Sequence, residues 1–160
     1  MSADYAKLAS GKWYEELEPG LLVRHAIVRT VTETDNLLFC TMTHNPAWLH
    51  MDEEYCKTQI FGTRIVNSMF TLSLICGVQV ADLTLGTTVA NLGFSDIRFP
   101  KPVLIGDTLR VETEILSRRE SGSRPGVGIV EFEHRALNQR DEVVATVRRQ
   151  GLMSKRPAAA

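Results

Sequence analysis

Hydrophobic and polar positions along this chain keep two different periods, and the change comes near residue 87. Beyond it the period is two. In "GDTLRVETEIL", Leu109, Val111 and Ile115 alternate with Arg110, Glu112 and Glu114, which predicts a half-buried antiparallel strand. "TTVANLGFSDIRF", "VGIVEFEHRAL" and "DEVVATVRRQGLM" predict three more, with "PKPVLIGD", "RRESGSRPG" and "NQRD" as the connecting turns or loops. Before residue 87 the β-branched run "LLVRHAIVRTV" after "EPG" predicts an opening strand over 21–31, and then the period becomes helical. Thr30 and Glu33 stand in capping-box spacing, and Leu37, Leu38 and Met42 recur at helical intervals, predicting a helix over about 33–43 that ends before Asn45-Pro46. "MDEEYCKTQ" predicts a short helix capped by Asp52. "RIVNSMFTLSLICGVQVADL" is apolar nearly all round, as a buried helix is.

One strand, helices, a long buried helix and then antiparallel strands is the order of an α+β domain whose sheet wraps a single central helix, the hot-dog architecture. A chain of 160 residues fits one such domain, here 1–160 with its core at about 13–154 and loose ends, and the open sheet edge predicts pairing into a homodimer or higher homo-oligomer. The composition is that of an ordinary globular protein. A formal charge of −1 offers no general attraction to nucleic acid or to an acidic membrane surface, so any anionic ligand has to be met locally. Cys40, Cys56 and Cys76 are odd in number and lack zinc-ligand spacing. The N-terminus has no apolar signal core and no run is long enough to span a bilayer; together these predict a cytoplasmic protein with reduced thiols and no membrane contact.

Four stretches, "RTVTETDNLLF", "HNPAWLHMD", "RIVNSMFTLSL" and "IRFPKPVLIGDTLRVETEI", resemble the MaoC-like dehydratases, the hot-dog family of (R)-specific enoyl-CoA hydratases. The resemblance runs from "YEELEPG" to "RRQGLM" and implies addition of water to, or its removal from, an acyl-CoA thioester, with no cofactor beyond the coenzyme A that the substrate carries. It implies that His50 is the acid/base of the active-site loop, and that a backbone N–H at Asn67-Ser68, where the central helix starts, holds the thioester oxygen. The family's loop aspartate is missing. Counting back five places from His50 gives Asn45; matching Asn45-Pro46 to the motif's Asn-Pro gives Thr43 instead, and neither is a carboxylate. Asn45 is therefore expected to orient the water that His50 activates.

Plainer roles stand beside these. His50 can brace the loop at the Asp52 helix start, Asn67 and Ser68 can be simple N-caps, and His44 can sit at a helix C-terminus for dipole reasons. Cys76 reads as core, and His134, on one face with Val130, Phe132 and Ala136, as a satisfied core histidine. Arg64 is a solvated charge or the partner of a second carboxylate on a polar acyl group such as mesaconyl or itaconyl, whose Asn-containing loop variants this loop resembles. Arg98 and Lys101 are the candidate contacts to coenzyme A. Two other functions fit the same fold: an acyl-CoA thioesterase, although Asn67-Ser68-Met69 lacks the carboxylate it would use, and a non-catalytic acyl-CoA-binding subunit.

Overall fold

A computed structural model describes residues 5 and 8–157; of the loose ends expected at both termini, 1–4, 6–7 and 158–160 lie outside the described residues. Strands β1 (Leu22–Arg24), β2 (Arg29–Thr30), β3 (Thr88–Arg98), β4 (Thr108–Glu120), β5 (Val127–Leu137) and β6 (Val143–Ser154) form one six-stranded antiparallel sheet. Its order is β1-β4-β5-β6-β3, with β2 also beside β4. Register shifts in β4 between Ile115 and Ser117, and along β3, bend these long strands, and the sheet curls around helix α4 (Ser68–Val78). Among the described residues no helix is long and apolar enough to cross a membrane.

The four predicted strands are β3 to β6, and the inward Leu109, Val111 and Ile115 are buried as the alternation requires. Three expectations are corrected. The opening strand is two short pieces, β1 and β2, because His25 turns into the interior between them. Helix α1 (Glu33–Met42) is capped by Thr32 rather than Thr30: the Thr32 hydroxyl accepts from the Asp35 N–H at 3.2 Å while the Asp35 carboxylate accepts from the Thr32 N–H at 2.8 Å. Thr30 belongs to β2 instead and shares a hydrogen bond with Thr108. Most informative, α1 is turned opposite to its hydrophobic pattern, with Leu37, Leu38 and Met42 exposed and Asn36 and Cys40 buried.

α4 buries Thr71, Ile75 and Val78 against β2-adjacent Val31 and against Leu109, Val111, Ala136, Val144 and Val147 of the sheet. It is shorter than its apolar run predicts, giving way to a wide turn over Val80–Thr84, and in the single chain Met69, Ser73 and Gly77 lie open along one side. A second apolar cluster gathers Tyr14, Leu17, Leu83, Ile115, Val130, Phe132 and Met153. Tyr14 lies flat on Gly128, where an added Cβ would stand 2.1 Å from the ring.

Between the two clusters runs a buried polar seam. Arg149 Nε donates to His134 Nε2 at 3.3 Å; Nδ1 of His134 meets the Thr113 hydroxyl at 2.8 Å, which meets His25 Nε2 at 2.8 Å, and His25 Nδ1 reaches Asp82 at 2.8 Å. A guanidinium can only donate and a carboxylate can only accept, so both ends are fixed: His134 carries its proton on Nδ1 and donates to Thr113, and His25 donates from Nδ1 to Asp82. Burial, then the Arg149 charge and His25, push His134 down to about 3, so it is neutral as the seam requires. The expected core histidine is therefore present and satisfied.

Because the unfolded His134 titrates near 6.5, the unfolded chain binds the extra proton between about pH 6.5 and 3. Stability contributed by this site is complete above that window and is lost as pH falls through it. His134→Leu is expected to cost about 1–3 kcal/mol for each stranded partner at pH 7 and to flatten the fall in urea midpoint from pH 6.5 to 4. An unchanged slope in the variant would mean that His134 does not carry this dependence.

Candidate active site

Asn45-Pro46 ends α1 and its Thr43 cap, and the chain crosses into two short helices, α2 (Trp48–Met51) and α3 (Glu53–Lys57). Asp52 caps α3 as expected, accepting from the Tyr55 N–H at 2.9 Å. The loop is pinned from below by the buried Cys56 thiol, which lies 3.5 Å from the carbonyls of Trp48 and Leu49. Burial pushes that thiol up, away from thiolate chemistry. Arg64 fastens the loop from outside. Its Nε donates to Glu53 at 2.8 Å and its NH1 group to Glu33 at 3.0 Å, joining the first turns of α1 and α3. The bonds to Glu33 and Glu53 raise Arg64 further.

His50, half-buried in α2, is held at two points. Its ring Nδ1 lies 2.8 Å from the Ile65 carbonyl, and its own carbonyl accepts from Asn36 Nδ2 at 3.0 Å. A carbonyl only accepts, so Nδ1 carries the proton and the neutral ring keeps its lone pair on Nε2. Ile65 is fixed in turn: its N–H donates to the Leu49 carbonyl at 3.2 Å, it bridges to Leu104, and the next N–H, of Val66, donates to the Val103 carbonyl at 2.8 Å.

Two residues later α4 begins. Asn67 is its N-cap, with Oδ1 accepting from the Met69 N–H at 2.9 Å, while the Asn67 N–H donates to Asn36 Oδ1 at 2.9 Å. First-turn N–H groups have no helical acceptor; capping takes that of Met69 and leaves those of Ser68 and Phe70, of which Ser68 borders a cavity. Ser68 lines a cavity of about 220 Å³ together with Phe61, Ile65, Phe99, Lys101 and Val144. The walls are mostly apolar and close to the positive end of α4, a setting for a neutral acyl chain with one polar oxygen.

The structure thus brings His50, Asn67 and Ser68 together around Ile65 and leaves other candidates apart. Asn45 Oδ1 accepts from the Ala47 N–H at 3.0 Å, and the residue borders a separate outer hollow with Cys40, His44 and Met51. Among the described residues neither Asn45 nor His50 is part of the Ser68 cavity wall. Lys101 is in that wall, with Nζ 2.5 Å from Glu142, whereas Arg98 is exposed and paired with Asp96 at 2.7 Å. Sequence reasoning passed over Asn36, whose signal was a lone amide directly before the apolar run Leu37-Leu38-Phe39 of α1.

Asn67→Ala is expected to lower stability by about 0.5–2 kcal/mol through loss of the cap, and Asn67→Asp to recover most of it in a thermal melt. Equal melting of the alanine variant and the wild type would show that the cap is dispensable.

The MaoC like domain matches residues 16–136. A curated relative, the mesaconyl-CoA hydratase of Cereibacter sphaeroides, is 31% identical over 154 residues, covering 96% of this chain and 44% of that protein. This chain therefore spans less than half the length of that relative. Of solved structures, the MaoC-like dehydratase from Rhodospirillum rubrum superposes with a TM-score of 0.79 at 28% identity, covering 92% of this chain and 99% of that one. A double-hotdog protein of Mycobacterium tuberculosis gives 0.84 at 19% identity over 94% of this chain and 46% of its own, which bears on the fold alone. With a curled sheet around one helix and a histidine loop set against that helix's N-terminus, the chain belongs to the MaoC-like domain family and has its hot-dog fold.

Proposed function

We propose that this chain is an acyl-CoA hydro-lyase, adding water to a 2-enoyl-CoA or removing it from the 3-hydroxyacyl-CoA. The observation that carries the reading is the His50 ring, held with its basic Nε2 free and Nδ1 on the Ile65 carbonyl, three positions of backbone before Ser68, where the helix starts beside an apolar cavity. Nε2 takes a proton from water, the hydroxyl oxygen bonds to the β-carbon, and the C=C electrons move toward the thioester oxygen. The Ser68 N–H receives that oxygen's developing charge, and the proton then passes from Nε2 to the α-carbon, so that one water is added and nothing is oxidised. The mesaconyl-CoA hydratase relative supports a short acyl group that carries a carboxylate. Both cations have protein partners, Arg64 in Glu33 and Glu53 and Lys101 in Glu142, but of the two Lys101 stands in the cavity wall, which makes it the better-placed one for a carboxylate or for the coenzyme A phosphates. Asn45 contributes by shaping the loop. Free thiols at Cys40, Cys56 and Cys76 fit a cytoplasmic setting.

A homodimer is part of this reading. β3 is an edge strand, bonded on one side to β6 only, and Val89, Leu92, Phe94 and Ile97 stand between 40% and 49% exposed along it. Unpaired backbone beside an apolar stripe is the surface that a second copy covers. Light scattering on the eluted protein is expected to give twice the chain mass of 17.9 kDa, and Phe94→Glu to shift it toward that single mass. A monomeric wild type would remove the dimer from the reading.

The enzymatic test is a mass-spectrometric assay against crotonyl-, mesaconyl- and itaconyl-CoA. The wild type is expected to add one water to at least one of them, and His50→Ala to lose about 10²–10⁴-fold of that rate. Release of free coenzyme A would point to the thioesterase. Binding without turnover by the wild type would point to the acyl-CoA-binding subunit.

A further inference from the structure

α1 turns its apolar residues to solvent and its amide inward, and the amide is where its consequence lies. Asn36 is 1% exposed. Its side chain spans two segments distant in sequence: Nδ2 donates to the His50 carbonyl at 3.0 Å, and Oδ1 accepts from the Asn67 N–H at 2.9 Å. The orientation of the amide is forced, since a carbonyl can only accept and a backbone N–H can only donate. Cys40, one turn on, fills the space beside it, with Sγ 3.9 Å from Asn36 Oδ1 and 3.6 Å from Asn67 Nδ2.

One planar amide therefore ties the backbone of the loop histidine to the backbone of the residue before Ser68. Its donor and acceptor ends are fixed relative to each other, so the two segments are held in one register. This matters more here than in a loop that holds a carboxylate. Among the described residues His50 has neutral hydrogen-bond partners, Ile65 at its ring, Asn36 at its carbonyl and Ala47 at its N–H, and the first two set where Nε2 sits relative to the Ser68 N–H.

Resting on the hydro-lyase reading, we infer that Asn36 is a positioning residue for the reaction, holding the His50 acid/base and the Ser68 oxyanion donor in register through their backbones. It touches no substrate. Misplacement of a catalytic group by about 1 Å lowers rates by about 10²-fold, so its removal acts on turnover and leaves binding alone.

The test is a double-mutant cycle on folded protein, checked by circular dichroism, with the thioester that the wild type hydrates. Asn36→Ala is expected to lower kcat about 10²-fold with KM changed less than about twofold. In the His50→Ala background the same substitution is expected to cost nothing further, because there is no longer an imidazole to place. Equal losses in the two backgrounds would reduce Asn36 to a structural role and overturn the inference, as would an unchanged kcat. If Asn36→Ala does not fold, Asn36→Asp serves: it keeps the acceptor for Asn67 and sets an oxygen against the His50 carbonyl, and the same cycle decides. A readout independent of turnover separates this inference from its parent. Long-range ¹H–¹⁵N spectra are expected to show His50 as the single Nδ1–H tautomer in the wild type and as a mixture in the Asn36 variant. If the wild type hydrates none of the thioesters, the hydro-lyase reading fails, and the tautomer spectra still decide whether Asn36 positions His50; one unmixed tautomer in the folded variant would overturn that too.

Discussion

The chain entering α4, from Val66 through the first turn, runs into an apolar interior with N–H groups that the helix itself cannot satisfy. Left unpaired in such a place, each costs about 1–3 kcal/mol, so the surrounding chain has to supply acceptors. Val103 supplies one to Val66, Asn36 one to Asn67, and the Asn67 side chain one to Met69. These acceptors come from a strand-flanking turn, from α1 and from the cap itself, which is why those elements converge here. Ser68, whose N–H none of these acceptors takes, lines the cavity. Solving the folding problem of a buried helix start and presenting a donor to a ligand are the same arrangement seen from two sides.

The interior is divided by charge as well as filled by apolar groups. Among the described residues Arg149 is buried without a carboxylate paired to it; it lies over the Phe132 ring at 4.6 Å and leans on neutral His134. Its guanidinium loses proton affinity to burial, and the seam from His134 to Asp82 joins that charge to the partly exposed carboxylate at the far end. Apolar residues could fill this volume, but they would not orient the His25 segment, β4, β5 and β6 relative to the Val80–Thr84 turn as a chain of hydrogen bonds does.

Much of this was legible in the chain. The four long strands follow from alternation, because each has one face on the core and one toward solvent, and the Asp52 cap follows from local chemistry. α1 shows where pattern fails. Leu37, Leu38 and Met42 mark a helix correctly, yet the buried face is the one bearing Asn36 and Cys40, since the interior there needs hydrogen-bond partners for His50 and Asn67 more than it needs carbon. The break at His25 was hidden for a similar reason: its partners Asp82 and Thr113 lie far along the chain. At the site, His50, Asn67 and Ser68 were marked by the motif and stand together around Ile65. Arg64 was marked by its charge, but its carboxylates, Glu33 and Glu53, belong to the protein, and no local signal distinguishes those from a ligand's.

The two distant segments that Asn36 ties together are held by main-chain atoms, the carbonyl of residue 50 and the N–H of residue 67. Every amino acid but proline offers both groups, so the scaffold is indifferent to which side chains stand at those two positions. Inheritance can then change what the site does without reopening how it is built. A lineage that loses or replaces its catalytic imidazole keeps a folded domain with its pocket intact, and that is the raw material from which a new activity, or a silent partner of an active copy, can be selected.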